Sequence, residues 1–404
     1  MYSISEISQY IDAKCIGASS ARISSLLTDS RSLCFPESTL FFALKTGRGN
    51  GHTYIPNLYS RGVRCFVVSE MPQDTFPDSC FLLVDDTLHA LQELARRHRE
   101  RFRIPIVGIA GSNGKTTVKE WLYQMLSPTY AVVRTPRSYN SQIGVPLSVW
   151  GLWEGAQIGL FEAAVSKPAE MAVLRDIIQP TIGIFTCLGE AHQENFRTME
   201  QKCMEKLSLF ACSDALVYLS GNPVTDKCIA QMDFKGRLIA CPSCGNALQD
   251  NISLCRALCE YLGMENDEIK QRAEILQPVA MRLEVLEGNQ GNTIINDTYN
   301  SDLNSLDIAL DFMNRRFEAD SHQRILLLSD IEQTGFQPES LYLHVARLIA
   351  GRGIDKFVGV GPQISAHSSL FRHLDIDCKF FSGTAELISS NYLTNISTSL
   401  IIIK

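Results

Sequence analysis

The chain has no apolar run long enough to cross a bilayer, and its opening residues, MYSISEISQY, have neither the basic stretch nor the apolar core of a secretory leader. No membrane insertion is expected, and the cytoplasm is the expected location. Basic charge is also short: 37 Lys and Arg against 44 Asp and Glu leave a net charge of −7, which argues against a nucleic-acid binder held by bulk electrostatics. Internal repeats and low-complexity tracts are absent. Cysteine is plentiful at thirteen, yet the residues are odd in number, scattered and in a chain without a secretory signal, so free thiols are expected. Cys241-Pro-Ser-Cys244 is a lone C-x-x-C. Cys255 and Cys259 stand four apart on an expected helix, but a structural role is the reading favoured for all four.

What is present is a globular composition, 45% hydrophobic and 20% charged, over 404 residues, more than one ordinary core holds. The most informative stretch runs from Ile104 to Met125. Ile104, Ile106, Val107 and Ile109 read as a buried strand, and Val118, Trp121, Leu122 and Met125 recur at helical spacing. Between them stands Gly111-Ser112-Asn113-Gly114-Lys115-Thr116-Thr117. Strand, glycine-rich turn, lysine, hydroxyl and helix in that order make a phosphate cradle, with backbone N–H groups and the helix N-terminus facing an anion. Lys115 can reach outer phosphates, and the Thr116 hydroxyl suits Mg2+. The strict G-x-x-x-x-G-K-[ST] spacing fails because Ile109 holds its first position; Gly108-x-x-Gly111-x-x-Gly114-Lys115-Thr116-Thr117 is a variant of it.

Strands alternate with helices through most of the chain, so the expected class is α/β with three domains, 1–103, 104–280 and 281–404. In the first, Phe41–Leu44 and Cys65–Val68 read as strands and Leu88–Phe102 as a helix. The charged run at the end of that helix, Arg96 to Arg101, is read as an exposed face. In the second, Ile158–Phe161 runs into Glu162, and Ile182–Thr186 leads to Gly189-Glu190-Ala191-His192. Ligands in open α/β sheets bind beyond the carboxyl ends of strands, so Glu162, His192 and the phosphate turn should share one rim and suit nucleotide-bound Mg2+. In the third, Thr293–Ile295, Ile325–Leu328 and Phe357–Val360 read as strands, with helices at Leu303–Met313 and Leu341–Ile349. No G-x-G-x-x-G follows its first strand, so a second cofactor domain has no support. The final strand, Leu400 to Ile403, has no following helix to cover it, so this domain is expected to be incomplete at its end, with apolar surface exposed.

Together these motifs resemble the Mur ligase family, ATP-dependent amino acid ligases of peptidoglycan synthesis, and most resemble those members that add D-alanyl-D-alanine to UDP-N-acetylmuramoyl-tripeptide. The resemblance implies an N-terminal UDP-substrate domain, a central P-loop ATPase-like domain and a C-terminal Rossmann-like domain closing over the nucleotide. It implies ATP and Mg2+ as cofactors, with Gly111 to Thr117 as the ATP loop. Glu162 matches the acidic magnesium ligand, His192 the histidine of a T-x-x-G-x-A-H segment, and Lys206 a lysine modified by CO2. Arg282, in Met281-Arg282-Leu283-Glu284, and Asp297, Tyr299 and Asn300, in Asn296-Asp297-Thr298-Tyr299-Asn300-Ser301, fall where the family contacts nucleotide. Asp29, Ser30 and Arg31 match the D-S-R of the uridine domain, and Thr135 and Asn140 fall in the segment near the muramoyl substrate. Cys187, Ser138, Ser141, Met281, Asn50 and Leu303 depart from the family's usual residues. The neighbouring lysine on the same expected helix, Lys202, is read as a solvated surface residue. A monomer is expected. Some ligases of this type are fused to a C-terminal alanine racemase, and the abrupt end of this sequence is compatible with such a domain following it, although no racemase residues are present.

The implied reaction is ATP phosphorylation of the tripeptide carboxylate to an acyl phosphate, then attack by the amine of D-alanyl-D-alanine. Two rivals are a ligase adding one amino acid, which more often has D-Y-A-H where Tyr299-Asn300 stands, and a folate-polyglutamate-type ligase, which would not need Asp29-Ser30-Arg31. A third is a nucleotide-binding partner without turnover, for which the loop alone would suffice.

Overall fold

The computed structural model describes residues 1–17, 20–47, 49–189, 193–317, 322–332 and 336–404. With two further two-stranded ribbons among the described residues of the first unit, three large sheets follow one another along the chain. The first uses β1 (Lys14–Ile16), β2 (Ser25–Leu27), β3 (Thr39–Phe42), β4 (Cys65–Val68) and β5 (Cys80–Leu83) in the order β1-β5-β4-β3-β2, parallel except at β1. TLFF in β3 and CFVV in β4 are buried throughout, as befits strands covered on both faces. Helix α1 (Ile4–Tyr10) begins with a Ser3–Glu6 capping box, and α2 (Ile55–Ser60) and α3 (Thr87–Arg99) follow, α3 capped by Asp86.

The charged run that ends α3 is only partly the exposed face expected from sequence. Arg97 is exposed, but His98 and Arg99 are buried, because they bridge to the next unit. Arg99 donates to the carbonyls of Ile178 (2.8 Å), Gln179 (3.0 Å) and Phe102 (2.7 Å). His98 lies between the Tyr2 hydroxyl (2.6 Å) and the Leu152 carbonyl (3.0 Å), and burial lowers its pKa to about 4.

The second sheet is wholly parallel. Its strands are β6 (Ile106–Ala110), β7 (Val132–Arg134), β8 (Ile158–Glu162), β9 (Ile182–Phe185), β10 (Ala215–Ser220) and β11 (Arg237–Pro242), in the order β7-β8-β6-β9-β10-β11. The chain passes from β6 outward to β7, returns through β8, and then crosses β6 to β9, so β6 sits where the winding reverses, the place such sheets bind ligands. Helices α4 (Lys115–Leu126), α5 (Gly144–Val149), α6 (Glu170–Ile178), α7 (Met199–Leu207), α8 (Pro223–Gln231), α9 (Ala247–Tyr261) and α10 (Asn266–Glu274) cover both faces. Gly108 is required in β6, since a Cβ there would lie 2.9 Å from Pro180. Cys255 and Cys259 point into the core between α9 and α4.

The third sheet holds β12 (Glu284–Glu287), β13 (Thr293–Asn296), β14 (Gln323–Ser329), β15 (Lys356–Val360), β16 (Asp377–Phe381) and β17 (Ser399–Ile403), in the order β12-β13-β17-β14-β15-β16 with only β12 antiparallel. Its helices include α11 (Leu303–Arg316) and α12 (Pro338–Ile349). The expectation of an uncovered last strand is overturned. β17 is central, with Leu400 and Ile402 packed among Leu306, Leu310 and Val345 on one face and Ile401 against Val358, Leu387 and Ile396 on the other. Coverage comes from helices earlier in the chain, because the last strand inserts between two older ones. No helix among the described residues is long and apolar enough to cross a membrane.

Ile402→Ala should destabilise the protein by about 2–5 kcal/mol in urea unfolding, whereas Ile388→Ala, on an exposed position, should stay within about 0.5 kcal/mol. Equal effects would contradict a central β17.

Candidate active site

The residues read as a phosphate cradle leave the carboxyl end of β6. Gly111 has φ +143°, and a Cβ there would lie 2.1 Å from Thr186 Oγ1. Gly114, at φ +85°, precedes α4 as its cap and makes no side-chain cap bond, so the first-turn N–H groups remain available for an anion. The turn is stitched to the loop after β9. Ser112 N–H donates to Cys187 O (2.7 Å), Ser112 Oγ accepts from Gly189 N–H (2.9 Å), and Thr186 Oγ1 donates to Asn113 O (2.6 Å). Lys115 Nζ lies over the turn, donating to Gly111 O (3.0 Å) and Ser112 O (2.8 Å). Burial lowers its pKa, opposed by the nearby Glu162 charge.

Parallel pairing sets Glu162 opposite Ile109, one strand over from the turn. Its carboxylate is fully buried. Oε2 accepts from Thr116 Oγ1 (3.1 Å) and Asn140 Nδ2 (3.2 Å), and Oε1 faces Lys119 Nζ at 3.1 Å as an ion pair but takes no hydrogen bond. A buried carboxylate oxygen without a hydrogen bond, beside a threonine hydroxyl and a phosphate turn, is a hard-oxygen donor set that fits Mg2+. Among the described residues no three His, Cys, Asp or Glu converge, so the remaining positions fall to phosphates and water, the usual mode for Mg2+. His192 lies outside the described residues.

Lys206, on α7, is brought to the same place, with Nζ donating to Gly111 O at 3.2 Å. Burial, then the charges of Lys115 and Lys202, push its pKa well below the ordinary lysine value. Lys202, expected at the surface, is instead fully buried, and its Nζ reaches Gly189 O and Gln193 Oε1. α7 presents one face to the sheet, and Lys202 and Lys206, four apart, share it.

The third unit reaches the same rim. Asn304, in the first turn of α11, lies against Gly189, where a Cβ would come within 3.2 Å of its Nδ2. Arg282 stacks over the Tyr299 ring at 3.9 Å, and its pKa is lowered by burial. Asp297 pairs with the buried Lys404 and accepts from Leu283 N–H (3.2 Å), and burial raises its pKa against the opposing Lys404 charge. Asn300 Nδ2 donates to Asp302 Oδ2 (2.8 Å), and Asp302 caps α11.

Other expected contacts lie elsewhere. The Thr135 side chain is buried behind the site, its Oγ1 accepting from Glu162 N–H (3.1 Å), and Asn140 touches the carboxylate itself. Asp29, Ser30 and Arg31 sit in a loop of the first sheet. Arg31 forks onto Asp29 (2.7 and 2.9 Å) while remaining exposed, and Arg61 donates to Ser30 O (2.6 Å). A cavity of about 930 Å3 opens at the opposite, amino end of the second sheet, lined by Arg99, Pro105, Pro180 and Asp214, and holds none of these residues. Lys119 was missed in the sequence; its signal is the position one helical turn after Lys115.

A P-loop-like turn at a topological switch, with a buried carboxylate and lysine beside it, has the make-up of a nucleotide-phosphate site. Residues 109–253, within the central unit, match the family model of the Mur ligase middle domain. The chain is 25% identical over 370 residues to the UDP-N-acetylmuramoyl-tripeptide–D-alanyl-D-alanine ligase of Bacillus subtilis, covering 84% of this chain and 80% of that one. It is 24% identical over 404 residues to the Escherichia coli ligase of the same name, covering 91% and 87%. Its fold is similar to a crystal structure of MurF from Acinetobacter baumannii (TM-score 0.86, 20% identity, 100% and 95% covered) and to MurF from Thermotoga maritima in complex with ADP (0.78, 21%, 94% and 93%).

Lys115→Ala should weaken ADP binding by about 10–100-fold in calorimetry, the scale of one charged hydrogen bond, while leaving the melting temperature near that of the parent. Unchanged affinity would remove this loop from the site.

Proposed function

We propose that the chain is an ATP-dependent carboxylate–amine ligase that joins D-alanyl-D-alanine to UDP-N-acetylmuramoyl-tripeptide, in the cytoplasm, during peptidoglycan synthesis. The observation that carries the proposal is the convergence of Lys115, Thr116, Glu162 and Lys206 on one glycine turn.

A carboxylate is a poor electrophile. In our reading, one of its oxygens attacks the γ-phosphorus of ATP, ADP leaves, and the acyl phosphate keeps that oxygen as its bridge. The amine of D-alanyl-D-alanine then adds to the carbonyl carbon, and the tetrahedral intermediate expels phosphate while the amine loses a proton. Gly111 to Thr117 hold the phosphates through backbone N–H groups, and Lys115 offsets the charge that develops on the β- and γ-oxygens. Thr116 and Glu162, with His192 assigned by resemblance alone, would hold Mg2+, which supplies Lewis-acid stabilisation of the transferring phosphoryl group. Arg282, Asp297, Tyr299 and Asn300 are assigned to the nucleotide from the third unit, and Asp29, Ser30, Arg31, Thr135 and Asn140 to the UDP-sugar side. The second and third units meet at this rim, which suits substrates that must be oriented together. The unit boundaries at 103/104 and 280/281 belong to this proposal.

Phosphate release from ATP in the presence of UDP-N-acetylmuramoyl-tripeptide tests the reading. It should require D-alanyl-D-alanine and proceed poorly with single amino acids; the opposite preference would overturn it.

We assign Lys206 as the site of CO2 addition. The amine lone pair adds to CO2, a proton is released, and the carbamate anion would stand at the phosphate turn near Lys115. The reaction needs a neutral amine, and burial beside two other lysines favours that form. Lys206→Ala should lose activity, and formate or acetate should partly restore it by supplying the missing anion. Full activity of the unrescued variant would refute the assignment.

A further inference from the structure

Lys119 is completely buried, one helical turn beyond Lys115 in α4. Its ammonium group has three protons and no lone pair to offer, yet four oxygens surround it: Thr135 O (2.8 Å), Arg137 O, Glu120 Oε1 (2.9 Å) and Glu162 Oε1 (3.1 Å). Two of the four are main-chain carbonyls of the turn after β7. Arg137 has φ +52°, a left-handed conformation that costs a non-glycine residue energy, and its carbonyl is the one turned onto Lys119. The same turn touches the metal-binding groups at three further points. Thr135 Oγ1 accepts from Glu162 N–H, Asn140 Nδ2 donates to Glu162 Oε2, and Ser138 Oγ lies 3.1 Å from Thr116 Oγ1.

We propose that Lys119 is a positioning residue that couples the two halves of the reaction, fixing the Glu162 carboxylate for the nucleotide-bound cation and holding the 135–140 turn for the acceptor carboxylate substrate. The inference rests on the function proposed above for the identity of that substrate, whereas its cation arm does not. A lysine present only to balance a buried charge would need Glu162 alone. Here one ammonium group also holds the strained carbonyl of the turn, so movement of either partner is felt by the other. The coupling runs through atoms in contact, Glu162 Oε1, Lys119 Nζ and Arg137 O, which link the carboxylate that would hold the cation to the substrate turn.

The test uses the full chain and reads binding. In the ADP complex, Mn2+ affinity is measured by electron paramagnetic resonance, and affinity for UDP-N-acetylmuramoyl-tripeptide by calorimetry. Lys119→Met should weaken both by at least about tenfold, the scale of a lost charged hydrogen bond. Adding Arg137→Gly, which allows the left-handed conformation without a Cβ penalty, should bring peptide affinity back towards that of the parent and leave Mn2+ affinity weak. If Lys119→Met alone does not fold, Lys119→Met/Glu162→Gln removes the unpaired charge and reads the peptide arm, with the same rescue expected from Arg137→Gly. Folded Lys119→Met with both affinities within about twofold of the parent overturns the proposal, as does failure of Arg137→Gly to restore peptide binding, or loss of folding in both Lys119 variants. A parent protein that binds Mn2+ and ADP but not the UDP-peptide refutes the proposed function and leaves the cation arm of the Lys119 test intact.

Discussion

A carboxylate taken fully out of water must be matched by fixed donors, and at Glu162 that demand organises the rim of the central sheet. Its partners come from the phosphate helix (Thr116, Lys119) and from the turn after β7 (Asn140), where Thr135 Oγ1 also accepts from the Glu162 main-chain N–H. Leaving such a charge without its partner costs about 3–5 kcal/mol, a large part of a domain's stability. The sheet therefore cannot form its strand ends without also arranging the site. Gly111 adds a second constraint of the same kind, because its contact with Thr186 permits no side chain and locks the turn to the loop after β9.

Much of this was legible from local pattern. Continuous apolar runs marked β6, β8 and β9 because parallel strands are covered on both faces. Glu162 and the Gly111–Thr117 turn could be set on one rim because strands of a parallel sheet all end on the same side. The α/β class and the phosphate turn followed from those facts. The misses have a common cause, which is that burial of polar groups depends on neighbours distant in sequence. Lys202 and Lys119 look like surface lysines on amphipathic helices until the facing loops are in place. The Thr135 and Asn140 side chains reach Glu162, 27 and 22 positions away, a contact that no local pattern announces. β17 looked uncovered because a strand that inserts between β13 and β14 borrows the helices of both.

The third unit is tied to the site through charge as well as shape. Lys404, at the end of the central strand β17, is buried on Asp297, which holds Leu283 next to Arg282. Both members of that pair feel burial first: it lowers the Lys404 pKa and raises that of Asp297, each opposed by the partner's charge. Arg282 and Tyr299 are thus carried on a segment whose backbone is fixed by a buried ion pair and by the Asp297 N–H to Ile403 O bond (3.0 Å). Asp302 lies close enough to Lys115 and Arg282 to raise the proton affinity of both. Charged groups of two units consequently share one electrostatic neighbourhood around the phosphate turn. That arrangement suits a reaction in which negative charge accumulates between them.

In the proposed function the acceptor carboxylate is activated by direct phosphorylation at this rim. UDP-N-acetylmuramoyl-tripeptide carrying two oxygen-18 atoms in its terminal carboxylate, incubated with ATP and D-alanyl-D-alanine, tests this by mass spectrometry of the products. An acyl-phosphate route transfers one labelled oxygen to inorganic phosphate and leaves the other in the new amide. Label found in a nucleotide product, or phosphate released without label while amide forms, would contradict it.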